Sequence, residues 1–465
     1  MSAPGSEGRT GRRLRARWLA SVAAAAPVEA RLAFAPPAAL ARRRDVRIRK
    51  AVAHAYGSVA HYREAFDAAG LTPGDIGGLA DFDRMPILDR AALESGEERL
   101  RSRQPPPGGS ITIRTSGSSG TQVVVHQDER SMLSTLGPRL RWESVRREIG
   151  ARGLGARRLV INNEDAFPLR RRQHARGKGG KPAGDRRVRV ISNFERPGDA
   201  ISTLDEFKPH VIKSFGSRLE LIFELAARSG REFHRPQLAV FSGDAISAAG
   251  RERFEELGIP VLGYYGAAEA PHIGFECPAH RGYHVNADVF PVRIVDGEGR
   301  ELPPGEEGEV AISNLLQRDT VLLNYRLGDR ATLLEGPCPC GRTLPTISFI
   351  EGRTDDWLVS ADGELIHPQV LTTMVRGEEG LGRFQFRQRD RGHIEMALTG
   401  DPPDLEALER RVRVGVGERL HGGFEVSLVR EAELPRTPSG KVRSVVSEVS
   451  GSNEAGVALD RSGSP

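Results

Sequence analysis

Between residues 110 and 330 the chain alternates two patterns. Short, almost wholly apolar runs (ITIRT, VVVHQ, RLVIN, VRVISN, HVIKSF, LAVFSGD and PVLGYYG) are separated by stretches such as SRLELIFELAARSG (217–230), whose apolar positions recur every three or four residues. Runs of the first kind predict strands buried on both faces, and helices between them predict parallel α/β layers. Helical periodicity also fills about 12–70, most plainly in VRIRKAVAHAYGSVAHYREAFDAAG. From 291 to 335 the pattern is all-β: PVRIVDGEGREL, with a turn at Asp296-Gly297, then GEVAISN and VLLNYRLGDRATLL. A last block, 357–448, mixes a hairpin (LVSADGELIHP), a helix at 404–420 and a closing strand, FEVSLVR. The expected fold class is α/β: a helical extension (1–42), a large layered domain with a β-subdomain (43–352), a small α+β domain (357–448) and a tail (449–465).

Composition narrows the class of protein. The chain has 465 residues, 38% hydrophobic and 28% charged, which suits a globular protein of two or three domains. No run of 18 apolar residues occurs, so no membrane partner is expected. A net charge of +5 argues against nucleic acid as the main partner. Residues 11–30 imitate a secretory leader, but their Arg/Ala pattern suits an amphipathic helix packed on the main domain. Three cysteines imply no disulfide framework, and a reducing cytoplasm is the expected location. The basic segment 168–190 is expected to be a solvated loop, with docking of an anion or a carrier protein as the functional option; it lacks the aromatics that stack on bases.

Only six of the 67 Lys and Arg residues are lysine: Lys50, Lys178, Lys181, Lys208, Lys213 and Lys441. Lys441 lies in LPRTPSGKVRSV, a Pro/Gly turn. A second unusual stretch is the loop TSGSSGT, between two β-branched runs in ITIRTSGSSGTQVVVHQ (111–127). Gly, Ser and Thr let a loop turn backbone N–H groups and hydroxyls inward around phosphate. It joins strand to strand and has no lysine, unlike the nucleotide loop ending in Gly-Lys-Ser/Thr. Four more stretches follow in order: YYGAAE (264–269), NYRLGD (324–329), EGRTDD (351–356) and PRTPSGK (435–441).

Together these five motifs resemble the adenylate-forming enzyme superfamily. HYREAFDAAGLTPGDIGGLADFDRMPILDR (61–90) is similar to the opening of its phenylacetate–CoA ligase branch, and the resemblance extends over about 43–446. It implies that ATP and a carboxylic acid give an acyl adenylate and pyrophosphate, after which a thiol displaces AMP. It also implies residue roles. Thr115, Ser116, Gly117, Ser118, Ser119, Gly120 and Thr121 would hold the phosphates. Gly243, Asp244, Tyr265, Gly266 and Ala267 would contact the nucleotide, with Phe241–Asp244 and Gly263–Gly266 as walls for a planar acid. Glu269 would bind Mg²⁺, Asp329 the ribose hydroxyls, and Arg353 the ribose and phosphate. Asp355, in a hinge at 353–356, would let the small domain rotate. Lys441 would reach the carboxylate and the α-phosphate, where electrostatic positioning carries much of the reaction. Two departures stand out: Ala268 replaces the usual Thr or Ser, leaving His272 or Tyr265 as substitute donors, and Gln122 replaces a proline.

All three cysteines fall in CPAHRGYH (277–284) and CPC (338–340). Cys277-x₂-His280 with Cys338-x-Cys340 supplies a tetrahedral zinc set, and the spacing favours His280 over its competitor, His284. Some members of the resembling branch carry such a structural zinc. The expected function is ATP-dependent activation of an aryl or arylacetic acid and its ligation to coenzyme A, with ATP, Mg²⁺, coenzyme A and Zn²⁺ as cofactors. Transfer to an amine or a carrier-protein thiol is the alternative, a non-catalytic zinc-containing nucleotide-binding protein the remote one. A homodimer stays open.

Overall fold

A computed structural model describes residues 20, 24, 27–89, 92–93, 97–104, 109–114, 124–153, 155–162, 187–193, 195–350, 358–360, 365–366, 368–375, 378, 380–419, 424–435 and 443–449. Helix α1 (Pro37–Ser58) buries Ile48, Ala51, Val52 and Ala55, a stripe set by three- and four-residue spacing. The extended residue Val59 turns the chain into α2 (Ala60–Ala68). The boundary expected at residue 42 falls inside α1. Arg43 and Arg47, on the same helix, both bond Asp288, at 2.9 and 2.5 Å.

The hairpin β1 (Ser110–Arg114)/β2 (Val124–Asp128) is antiparallel and forms its own sheet. Helices α3 (Glu129–Ser134) and α4 (Leu136–Glu148) lead into the main sheet. Its parallel strands are β3 (Arg158–Asn162), β4 (Val188–Ser192), β5 (Val211–Ser214), β6 (Leu238–Ser242) and β7 (Val261–Tyr265). Connections from β4 onward carry α5 (Pro197–Phe207), α6 (Gly216–Arg228) and α7 (Ala248–Glu256). Three antiparallel strands extend the sheet: β8 (Gly274–Glu276), β9 (Tyr283–Val285) and, later in the chain, β13 (Thr346–Ile347). The eight-stranded order is β13-β9-β8-β7-β6-β5-β3-β4. The core of the layer is apolar on both faces: Leu238, Ala239, Val240 and Phe241 of β6 are all buried.

A separate antiparallel sheet contains β10 (Val292–Val295), β11 (Glu307–Ile312) and β12 (Tyr325–Thr332), with a register shift between Glu309 and Ala311. Beyond residue 357, β14 (Leu358–Val359) pairs β15 (Leu365–Ile366), followed by α8 (Gln369–Met374). A four-stranded sheet is then built from β16 (Phe384–Asp390), β17 (His393–Leu398), β18 (Glu425–Arg430) and β19 (Val445–Ser447), ordered β18-β17-β16-β19. Helix α9 (Leu405–Arg419) covers it with Leu408, Val412 and Val416, four residues apart, and these join Phe384, Phe386, Ile394 and Met396 in one buried cluster. Among the described residues no helix is long and apolar enough to cross a membrane.

Candidate active site

In a parallel sheet the strand carboxyl ends open into crevices, because the chain must turn there into a helix or loop. The ends of β3, β5, β6 and β7 line a cleft of about 240 Å³, with Asn162, Lys213, Ser214, Phe215, Tyr264 and His272 on its walls. Gly243, Gly266 and Ala267 line the same cleft, so three of the expected nucleotide contacts meet there. Gly243 has φ +98°, and a Cβ would lie 2.7 Å from the Phe215 ring. A Cβ on Gly266 would lie 2.5 Å from the Pro271 carbonyl oxygen, so only glycine allows this tight return after β7.

That return places Glu269. Ala267 N–H donates to Ala270 O at 2.9 Å and Ala270 N–H donates back at 3.1 Å. Asn314 Nδ2 holds the Glu269 carbonyl at 2.9 Å. The Glu269 side chain is buried, yet only the Tyr325 hydroxyl reaches its carboxylate among the described residues, at a long 3.4 Å. A buried carboxylate so poorly supplied with donors fits a cation. On the neighbouring sheet, Asp329 accepts a 2.9 Å hydrogen bond from the Tyr265 hydroxyl. This fixes Tyr265 as a support for Asp329. The β1–β2 hairpin is tied to the same turn, since Gln127 Nε2 donates to the carbonyl oxygen of Ala268.

Asp244 braces the amino end of a helix. Its two carboxylate oxygens accept from the Gly216 N–H and the Ser217 hydroxyl, at the amino end of α6. Phe215 occupies the N-cap position without a capping side chain, so Asp244 supplies the missing acceptor from the next loop. Thr115 to Thr121, Arg353, Asp355 and Lys441 lie outside the described residues, as does most of the basic segment 168–190.

Sequence reasoning passed over Lys213. It is partly buried, its Nζ lies 5.5 Å from the Tyr264 ring centroid, and burial, with the nearby Arg139, pulls its pKa down to about 8. His272 is pulled down to about 3 by burial and by the fields of Arg139 and Lys213, so its imidazole is neutral. The signal was present: an isolated lysine at the end of an apolar strand, in a chain that uses arginine nearly everywhere else.

The cysteine cluster forms with one change of ligand. Cys277, His284, Cys338 and Cys340 place their ligand atoms within 4.8 Å of one another. His280, favoured by spacing, is excluded: its ring is half-exposed and bonds Glu276 Oε1 at 2.6 Å and Arg251 at 3.2 Å. The turn carrying it closes through His280 N–H to Cys277 O at 3.0 Å. His284 instead sits in β9, fully buried, with Nε2 at 3.3 Å from Cys340 Sγ. Burial lowers its pKa to about 4, so the imidazole is neutral and can ligate. The Cys277–Cys338 sulfur separation is 3.7 Å. Tetrahedral zinc with Zn–S bonds near 2.3 Å requires about 3.8 Å. The four residues fit a metal.

A family model described as AMP-binding enzyme matches residues 186–316, which run from β4 through Glu269 to the segment after β11. Phenylacetate–coenzyme A ligase of Thermus thermophilus is 25% identical over 432 residues, covering 86% of this chain and 95% of that protein. Through these matches the chain is similar to the adenylate-forming, AMP-binding superfamily. Phenylacetate–coenzyme A ligase of Escherichia coli is 27% identical over 361 residues, covering 75% of this chain and 79% of the relative. A solved 2-hydroxyisobutyryl-CoA ligase in its postadenylation state has a similar fold: the TM-score is 0.57 at 19% identity, over 92% of this chain and 94% of that one.

Proposed function

We propose that this chain is an AMP-forming acid–CoA ligase whose acid is an aryl or arylacetic acid. The observation that carries the proposal is the meeting of Gly243, Gly266 and Ala267 in one cleft, with the buried Glu269 carboxylate on the turn beside it. In the first half-reaction a carboxylate oxygen attacks the α-phosphorus of ATP, a P–O bond breaks and pyrophosphate leaves. In the second, the sulfur of coenzyme A attacks the acyl carbon, the C–O bond to phosphate breaks and AMP leaves. Glu269 holds Mg²⁺, which supplies neutralising charge to the phosphates. The loop Thr115–Thr121 wraps the departing pyrophosphate with N–H and hydroxyl donors. Asp329, braced by Tyr265, accepts from the ribose hydroxyls, and Arg353 would serve the ribose and phosphate.

Asp355 serves as the pivot for the unit beyond residue 357, and Lys441 enters the site on that unit during adenylation. The Cys277–His284–Cys338–Cys340 set holds zinc with no open position, fastening the segment after β8 to the loop before β13. Support for the ligase assignment comes from the relatives named phenylacetate–coenzyme A ligase.

ATP–pyrophosphate exchange across a panel of acids, followed by AMP and thioester analysis with coenzyme A, tests the proposal. Exchange and CoA-dependent thioester are expected for an aromatic acid. Exchange without CoA consumption would redirect the acyl group to an amine or carrier thiol, and ATP binding without exchange for any acid would refute adenylation. Lys441→Arg should lose most exchange and still make thioester from supplied acyl adenylate. Equal loss in both half-reactions would overturn its role.

A further inference from the structure

The cleft wall formed by β5 and β7 carries more polarity than a plain aromatic acid requires. Lys213 has no carboxylate partner among the described residues, only the Tyr264 ring 5.5 Å away. The Tyr264 hydroxyl and the Ser214 hydroxyl are both buried without a hydrogen-bond partner among the described residues, and Ser214 is 4% exposed. The indole N–H of Trp142, whose ring lies 4.8 Å from that of Tyr264, is likewise unpartnered. Arg139 adds a second positive field, acting on Lys213, Tyr264 and His272 alike. Glu143, the carboxylate whose field reaches Tyr264, is paired with Arg146 at 2.8 Å.

Buried polar groups are satisfied in folded proteins, and each exception calls for a ligand or water. A cation with unpartnered hydroxyls and no opposing carboxylate is the complement of a negatively charged or hydrogen-bond-accepting oxygen. A hydrocarbon ring in the same place would leave the ammonium and three polar groups unpaired, which disfavours it strongly. The cleft's volume, about 240 Å³, suits one substituted ring.

We infer that Lys213, with the Tyr264 and Ser214 hydroxyls, selects an acid bearing a second oxygen-centred acidic group, carboxyl or phenolic, on the ring end remote from the carboxyl that is activated. The inference rests on the proposed acid-activating role of this cleft. It makes Lys213 a specificity residue.

The test compares phenylacetate with its 2-, 3- and 4-hydroxy and 2-, 3- and 4-carboxy derivatives. Calorimetric binding to the full chain and pyrophosphate exchange are both measured, for the wild type, Lys213→Met and Tyr264→Phe. One oxygen-substituted series should bind at least about ten-fold more tightly than phenylacetate, the scale of one charge-assisted hydrogen bond. A carboxy preference identifies an ionised partner, a hydroxy preference a phenolic one. Lys213→Met should invert the preference, weakening the substituted acid and tightening phenylacetate, while Tyr264→Phe weakens it without inversion. Selective binding with no exchange for any acid supports the pocket assignment and refutes adenylation. Exchange that prefers phenylacetate, or a preference untouched by Lys213→Met, overturns the inference. So does an equal loss for every acid, since that would assign the lysine to the carboxyl being activated.

Discussion

Two cations in this molecule, one fully and one partly buried, meet opposite surroundings. Arg141 in α4 is fully buried, and all three of its guanidinium nitrogens are engaged: with Glu29 at 2.8 and 3.2 Å, with Asp288 at 2.6 and 3.0 Å, and with Asn286 at 3.2 Å. Burial opposes its charge, but the two carboxylates more than offset this, and its pKa rises. Lys213 has only an aromatic face among the described residues, and its pKa falls to about 8. The difference teaches how to tell structure from function in a buried site. A network that satisfies itself holds segments together, here α1, α4 and the loop after β9. A cation left without a counter-charge marks a place where a ligand supplies it.

The largest effect should come from breaking the satisfied network. Arg141→Met leaves Glu29 and Asp288 buried with one partner fewer each and should cost roughly 3–5 kcal/mol in urea denaturation. Arg43 and Arg47 still reach Asp288, which argues for the lower end. Lys213→Met removes an unpaired buried charge and should change stability by less than about 1 kcal/mol, or raise it. Equal destabilisation by the two substitutions would erase the distinction between them.

The cysteine cluster is an intermediate case, closed in geometry but completed only by a metal. Chelation should lower Tm by roughly 5 °C, as for a loss of about 2 kcal/mol in a domain of this size. Elemental analysis should find one zinc per chain, lost in His284→Ala and Cys338→Ser and kept in His280→Ala. Retention of metal in His284→Ala would return the ligand role to His280.

These cases also show where the sequence was legible. The parallel strands β3–β7 were, because β-branched runs bounded by turn residues have few other places to go than a two-sided layer. So was the all-β block at 292–332. Side-chain direction was not. Residue spacing favoured His280, but four residues on, strand alternation turns His284 inward while the turn leaves His280 on the outside beside Glu276. That Asp244 also caps α6, which begins 28 residues earlier in the chain, could not be read from its motif position. Lys213 could be noticed as a lone lysine, but its role could not be read, for a related reason. Its meaning depends on Tyr264 and Ser214 having no partners, and absence of a partner cannot be counted along a chain.

The smallest effect is a pH dependence, and it carries the sharpest sign. Lys213 releases its proton at about 8 in the folded chain, against 10.5 for an ordinary lysine. Between those values the unfolded chain binds more protons than the folded one, so stability should rise with pH across that window. The charged and titratable groups facing Lys213 do not obscure this. Tyr264 is pushed far above its ordinary value and His272 down to about 3, so neither titrates there. Arg139 is the other charged group whose field reaches Lys213. The gain should be on the order of 1 kcal/mol, since the lysine borders an open cleft and water softens its desolvation. It is read as the difference between wild type and Lys213→Met in urea midpoints at pH 7, 8, 9 and 10, which cancels every other titration in the protein. A rising difference means an uncompensated cation. A falling one would mean that a carboxylate already holds Lys213, and would place it in the same class as Arg141.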